Sequence, residues 1–173
     1  NKLYQKSEIW FAVIWIIIYV VGTSFAENIS EGIGLSKSIT FIFHVVISVI
    51  VITWLNKNGL FGKYGICKPN APASKFLYYI PLLIIISCNL WFGVTMNLTI
   101  TESILYAGSM ICVGFLEEII FRGFLFKAMA KDSVKAAIIV SSITFGIGHI
   151  INLFNGNSDD PLATICQIIY AIA

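Results

Sequence analysis

Charged residues are scarce in this chain: they make up 12% of its 173 residues, and only nine are acidic. A soluble globular domain carries about 25% charged residues. An ordinary soluble domain is therefore excluded, because the 58% of residues that are hydrophobic have too few polar residues to cover them. The net charge is only +2, and the lysines are scattered rather than striped along one face. A nucleic-acid-binding protein is therefore excluded as well.

Cysteine and histidine are also few. The four cysteines lie far apart, without the paired spacing of a disulfide framework or a zinc knuckle: Cys67, Cys88, Cys112 and Cys166. The two histidines, His44 and His149, form no His-Glu-x-x-His helix, and two are too few for a convincing zinc site. We therefore expect no cofactor, with a zinc protease as an alternative.

Long apolar runs fill most of the sequence. A transmembrane helix needs about 17–25 mostly apolar residues. Six runs are candidates, at 9–25, 38–55, 76–96, 101–126, 134–153 and 161–173, the last of them incomplete. Between the fifth and sixth, the polar stretch 155–161 is typical of a loop. We predict an all-α, polytopic helical bundle of about six spans in a lipid bilayer.

The lysines predict the orientation of this bundle. They precede the first span and lie between the second and third and between the fourth and fifth, whereas Lys37 is the only lysine on the alternate side. The acidic residues of that alternate side are predicted to lie in loops: Glu27, Glu31, Glu102, Asp159 and Asp160. Because lysine-rich short loops stay in the cytoplasm, we predict a cytoplasmic N-terminus. Ten lysines against one arginine favour a bacterial cell membrane.

The most informative residues are ionisable side chains inside apolar runs. Glu117, Glu118 and Arg122 fall in the fourth run, and His149 falls in the fifth. Such groups cost at least about 2.5 kcal/mol each at membrane depth and are usually functional. On a helix Glu118 and Arg122 are neighbours that can form an ion pair, whereas Glu117 points about 100° away from Glu118. One carboxylate can thus be held by arginine while the other faces a cavity.

Glu117 and His149 are predicted to meet inside the membrane. Counted from Lys127 and Lys135 at 1.5 Å per residue, Glu117 lies about 15 Å deep and His149 about 21 Å deep. The usual tilt of about 20° absorbs this difference. A carboxylate that faces a neutral imidazole is suited to activating water.

The same four side chains allow two further interpretations. They could form a structural polar network between two helices, or part of a proton or ion pathway. His44, alone in the second span, is predicted to be a structural histidine.

Two motifs resemble those of a known family. Glu117-Glu118-x-x-x-Arg122 followed by Phe145-x-x-x-His149 is similar to the first two motifs of the CAAX protease and bacteriocin-processing family of Abi-type intramembrane proteases. The residues of the second motif, Phe145-Gly-Ile-Gly-His149-Ile-Ile-Asn152-Leu, agree too, and the segment from 60 to 82 resembles the entry to the third span in bacterial members. The resemblance is strongest over residues 101–170 and weak before residue 60.

The resemblance implies a role for each matching residue. Glu117 would be the general base for water, and His149 would help to bind and activate that water. Glu118 and Arg122 would support this arrangement, while Phe145 would pack beneath the site. The implied activity is an intramembrane endopeptidase that hydrolyses a peptide bond near the cytoplasmic side.

The chain departs from the family pattern at its end. The family continues with a second histidine and an asparagine that stabilise the oxyanion, and no histidine follows His149. We expect a fragment cut at both ends, with residues 1–100 forming N-terminal transmembrane helices and 101–173 forming the start of the protease core. Loss of an oxyanion donor costs about 10²–10³ in rate, so the activity of the piece alone stays open.

The substrate is not encoded in any motif. A leader peptide, a pheromone precursor or a bacteriocin is expected before a prenylated protein. The alternative from another class is a non-enzymatic membrane protein on the same scaffold, acting in bacteriocin immunity or partner binding.

Overall fold

All regular structure in the described part of the chain is helical, which confirms the predicted all-α class. The computed structural model describes residues 1–87, 91, 97–154 and 160–172. The helices are α1 (Lys2–Lys6), α2 (Glu8–Ile33), α3 (Ser38–Lys57), a 3₁₀ helix (Ala73–Tyr79), α4 (Ile80–Ser87), α5 (Ile100–Glu117), a π-helix (Glu118–Leu125), α6 (Phe126–Met129), α7 (Val134–Gly148), α8 (Ile151–Phe154) and α9 (Pro161–Ile172).

Within the described ranges, three helical segments are long and apolar enough to cross a membrane: Glu8–Ile33, Ser38–Lys57 and Ile100–Met129. The last joins α5, the π-helix and α6 into one rod of 30 residues. Shorter apolar helices are Ala73–Ile84, Val134–Gly148 and Pro161–Ile172. Large apolar side chains cover the outside of the bundle, as for Ile111, which is 75% exposed. This surface suits lipid, and the protein is a helical membrane bundle.

Parts of three predicted elements lie outside the described residues, one of them being Ala173 at the end of the sixth predicted span. The third predicted span, 76–96, is described as the end of the 3₁₀ helix and α4, but 88–90 and 92–96 are not described. The predicted loop 155–161 is described only from residue 160 onwards.

Three acidic residues that the sequence places in loops lie in helices instead. Glu27 and Glu31 belong to α2, which continues past the predicted end of the first span to Gly34, a left-handed cap with φ 76°. Glu102 belongs to α5, where it forms a capping box with Thr99. The loop prediction was wrong because it used apolarity alone, and a carboxylate in a first turn or beside a partner does not end a helix.

Packing of α2 places the π-helix at the centre of the bundle. Helix α2 contacts both α3 and the π-helix, while α3 packs on α5 and α7 packs on α9. Phe124, only 1% exposed, is the hub of this core. Four aromatic rings surround it: Phe11, Trp15, Trp54 and Tyr64. The residues just before Phe124 are therefore held in a fixed position against α2.

A polar cluster ties the N-terminal end of α2 to two connecting segments. The Glu8 carboxylate accepts hydrogen bonds from Lys63 Nζ at 2.8 Å and from Lys131 Nζ at 2.6 Å. Nearby, the Tyr4 and Tyr64 hydroxyls are 3.0 Å apart. Because Lys63 follows α3 and Lys131 follows α6, this cluster fixes the lysine-rich end of the bundle.

Candidate active site

The site lies where α5 changes into the π-helix. Glu117 is the last residue of α5, and the π-helix begins with Glu118. Most of the π-helix is buried, including Ile120 and Phe121. π-Helical turns are rare and occur frequently at functional sites. The sequence offered no signal for this change of helical pitch.

The two glutamates serve different partners. Arg122 Nη1 donates to Glu118 Oε1, so the predicted ion pair is confirmed. Glu117 instead lines a half-open cavity and accepts a hydrogen bond from the Tyr19 hydroxyl at 3.0 Å. The predicted separation of the two carboxylates is therefore confirmed.

Glu117 and His149 line the same half-open pocket, here called the site cavity, which measures about 100 Å³. Helix α2 forms one wall, and the π-helix and the end of α7 form the others, with lining residues Tyr19, Val20, Thr23, Ser24, Glu27, Glu117, Phe121, Phe145, Gly148, His149 and Ile151. One water needs about 10–15 Å³ on this measure. The cavity, which is lined by a carboxylate and an imidazole, therefore has room for several waters.

A larger cavity of about 610 Å³ adjoins the site cavity. Both are lined by Tyr19, Thr23, Glu27, Glu117 and His149. The larger cavity extends between α2, α3 and α5, where its walls include Lys37 and His44. Polar groups thus line a continuous space from Glu117 toward the α2–α3 connection.

His149 lies just beyond the end of α7. The fifth predicted span runs as one helix to residue 153, but α7 ends at Gly148, and His149 is its cap. The His149 amide donates to the Gly146 carbonyl at 3.0 Å, and a new helix starts at Ile151. The prediction of one continuous helix from 134 to 153 was therefore wrong, because the helix is interrupted at His149. Gly146 and Gly148 lower the helical propensity where the chain turns.

Gly146 also permits close packing of α9. A Cβ atom at this position would lie 3.0 Å from the Ile168 carbonyl oxygen. Because backbone cannot move aside cheaply, the small residue lets α9 approach the end of α7.

Phe145 contacts His149 as the resemblance implies. Its ring meets the imidazole edge-on, with centroids 5.2 Å apart. The Arg122 guanidinium lies over the same ring at 5.2 Å from its centroid, and Phe121 contacts it at 5.3 Å. Arg122 thus reaches His149 through Phe145 while also holding Glu118. This chain of contacts links both sequence motifs.

Sequence reasoning missed Tyr19. Its hydroxyl is the hydrogen-bond donor to Glu117, although the two residues are 98 positions apart. The ring is only 7% exposed. The one available signal was a tyrosine in the middle of an apolar run, and a buried tyrosine hydroxyl usually has a partner. That signal does not identify which partner.

No group of three or more histidine, cysteine, aspartate or glutamate side chains that could hold a metal ion occurs among the residues described. The expectation of no cofactor stays a prediction, as does the assignment of catalytic roles.

Comparison with protein families agrees with the motifs. Residues 99–173 match the family described as type II CAAX prenyl endopeptidase Rce1-like. The predicted resemblance is confirmed over these residues, which contain Glu117, Glu118, Arg122, Phe145 and His149. None of the curated proteins and none of the solved structures compared with the chain gives a significant match.

Proposed function

We propose that this chain carries the catalytic glutamate and histidine of an intramembrane endopeptidase of the CAAX protease and bacteriocin-processing type. The match of residues 99–173 to a CAAX-type endopeptidase family supports peptide hydrolysis in general. The observation that carries the finer proposal is the cavity shared by Glu117 and His149. A carboxylate and an imidazole that line a space able to hold water are the groups that general-base hydrolysis needs.

The proposed reaction uses one water from the cavity. Glu117 takes a proton from this water as its oxygen forms a bond to the carbonyl carbon of the substrate, and the carbonyl electron pair moves onto oxygen. When the pair returns, the C–N bond breaks and Glu117 gives the proton to the leaving nitrogen. His149 orients the water and stabilises the charge that develops. The products are a carboxylic acid and an amine, which become a carboxylate and an ammonium group when the acid's proton passes to the amine.

The proposed cleavage lies in the cytoplasmic half of the membrane. Tyr19, the partner of Glu117, is about 16 Å from the Glu8 end of α2 and about 21 Å from the Ile33 end at 1.5 Å per residue. The Glu8 end carries Lys63 and Lys131, the kind of residue that stays in the cytoplasm. Glu117 is therefore nearer to that side.

The proposed substrate is a peptide or protein that reaches the site from the bilayer. A leader peptide or pheromone precursor of a bacterial cell fits this class, and the family description adds prenylated C-terminal peptides. Both sources are peptides, so the test must separate them.

The test compares membranes that contain the complete protein with Glu117→Gln or His149→Ala. Glu31→Gln is the control, because Glu31 is an exposed carboxylate on α2 outside the cavities. Precursors that accumulate with both site variants, but not with the control, are identified by the N-termini they retain. Synthetic peptides, one farnesylated and one unmodified, then show which source is cleaved.

We expect each site variant to cleave about 10²–10⁴-fold more slowly than the wild type, because this factor is the usual contribution of a general acid or base. Normal processing by both variants, at unchanged protein levels, would refute the enzymatic roles and favour the non-enzymatic alternative. Stoichiometric zinc in the purified complete protein would refute the assignment of a metal-free glutamate mechanism.

A further inference from the structure

A hydroxyl from the first long helix holds the candidate catalytic carboxylate. The Tyr19 hydroxyl donates to Glu117 Oε1 at 3.0 Å. Within the described part of the chain, no other hydrogen bond to the Glu117 carboxylate is formed. Oε2 therefore has no partner among the described residues and is available to a water in the site cavity.

Tyr19 is itself held in place. Its ring stacks on the His44 imidazole, with centroids 6.0 Å apart and an interplanar angle of 30°. His44 is only 1% exposed. Both of its ring nitrogens have partners, Nδ1 with Ser109 Oγ at 2.9 Å and Nε2 with Thr23 Oγ1 at 3.0 Å. Because these partners lie on α5 and α2, three helices fix the position of the Tyr19 ring.

This arrangement restricts the carboxylate of Glu117. Glu117 ends α5 at the junction with the π-helix, and a glutamate side chain has three rotatable bonds. A hydrogen bond to one oxygen limits rotation of the whole group. Misplacement of a reacting group by about 1 Å can cost 10²-fold in rate. A fixed donor on Oε1 is therefore a means of keeping Oε2 directed at the water.

We propose that Tyr19 is a positioning residue for Glu117: its hydroxyl, held by the stacked His44, occupies Oε1 so that Oε2 accepts the proton of the attacking water. This inference rests on the proposed function of Glu117 as the base. The substrate does not contact Tyr19 in this account, so loss of the hydroxyl affects turnover and leaves substrate binding unchanged.

The test is Tyr19→Phe in the complete membrane-embedded protein, with a synthetic peptide that spans the cleavage site of a precursor accumulated by Glu117→Gln. Tyr64→Phe is the matched control. Tyr64 is equally buried, at 7% exposed, and its hydroxyl also has a hydrogen-bond partner, the Tyr4 hydroxyl at 3.0 Å, but it lies outside the site cavity.

We expect Tyr19→Phe to lower kcat by about tenfold to a hundredfold with KM within about twofold of the wild type, because a hydrogen bond to a charged group is lost. Tyr64→Phe keeps the wild-type kcat. Ser109→Ala loosens His44 without touching Tyr19 or Glu117, and it lowers kcat by a smaller factor. If the Tyr19→Phe protein is not stably produced in the membrane, the kcat of Ser109→Ala tests the positioning role instead.

The outcomes separate the two proposals. If Glu117→Gln is inactive while Tyr19→Phe and Ser109→Ala both turn over like the wild type, the positioning role is wrong and the enzymatic function stands. If Tyr19→Phe raises KM and leaves kcat unchanged, Tyr19 contacts substrate, and the positioning role is also wrong. If Glu117→Gln cleaves normally, the proposed function itself fails.

Discussion

The two histidines lie in regions of opposite character. His44 is buried between α2, α3 and α5, and both ring nitrogens have hydroxyl partners. His149 is half-buried at the end of α7, where its ring contacts Phe145 and faces the site cavity. Among the described residues, none forms a hydrogen bond with the His149 ring. A satisfied imidazole stabilises a fold, whereas one beside an open polar space has capacity left for a ligand or a water.

The same difference separates the carboxylates. Glu118 is neutralised by Arg122, and Glu27 is neutralised by Lys37 in a pair that is largely buried. Glu117 has one hydroxyl partner and no cation within salt-bridge distance in the described residues. Buried polar groups are normally fully paired. The incomplete pairing of Glu117 and His149, in one cavity, is what distinguishes a candidate site from a structural network.

Replacing each histidine with alanine is expected to have a different main effect: loss of cleavage at His149, and loss of stability with only a partial loss of cleavage at His44. His149→Ala lowers the cleavage rate by a factor of about 10²–10⁴ and leaves the melting temperature unchanged. His44→Ala leaves the Thr23 and Ser109 hydroxyls without their partner, which costs about 1–3 kcal/mol of stability. Cleavage assays and thermal unfolding in detergent micelles measure both effects. A His149→Ala protein that unfolds as easily as His44→Ala would remove the distinction between the two regions.

Weakening the contact of Arg122 with Phe145, which packs on His149, is expected to lower the cleavage rate by a smaller factor. Arg122→Lys keeps the charge beside Glu118 but loses the planar guanidinium over the Phe145 ring. A cation–π contact contributes about 0.5–1 kcal/mol at an exposed site, so cleavage falls about twofold to fivefold. In a Phe145→Leu background the same change should have no further effect on the cleavage rate. An equal loss in both backgrounds would show that Arg122 acts without Phe145.

The smallest effect is expected at the lysine-rich end. Burial lowers the pKa of Lys63, but hydrogen bonds to Glu8 and Tyr4 raise it by more than burial lowers it. The pKa of Lys63 therefore lies above its usual 10.5. A raised lysine pKa stabilises the folded state below pH 10.5, and this contribution is lost as pH rises through the folded-state value. Lys63→Met should therefore lower stability by at most about 1 kcal/mol at neutral pH.

Thermal unfolding of Lys63→Met and wild type across pH 7–11 measures this contribution. The difference between the two proteins should shrink above pH 10.5, the usual lysine value. A constant difference over the whole range would show that Lys63 acts through packing of its aliphatic chain rather than through its charge. In that case the Lys63 cluster would stabilise the fold by packing, whereas the His44 region stabilises it by hydrogen bonds.

The correct predictions from the sequence rest on residue spacing and rise along single helices. The Glu118–Arg122 pair follows from residues four apart on a helix. The meeting of Glu117 and His149 in one cavity follows from counting the rise per residue along two neighbouring spans from their shared lysine-rich end. Neither step requires knowledge of how other helices pack.

What the sequence did not predict depends on packing or on a local change of helix. Tyr19 contacts Glu117 only because α2 packs on the π-helix, and no spacing rule connects positions so far apart. The end of α7 at Gly148 breaks the assumption of a continuous span. Glu27 lies in a helix because Lys37 offsets its charge, a partner that hydropathy does not reveal.

A kinetic double-mutant cycle of Glu117→Gln and His149→Ala tests the central claim most directly. If both residues act on one water, the double variant should cleave no more slowly than the slower single variant, since residues that act as a unit are strongly non-additive. Losses that multiply across the two positions would contradict a shared water and a shared active site.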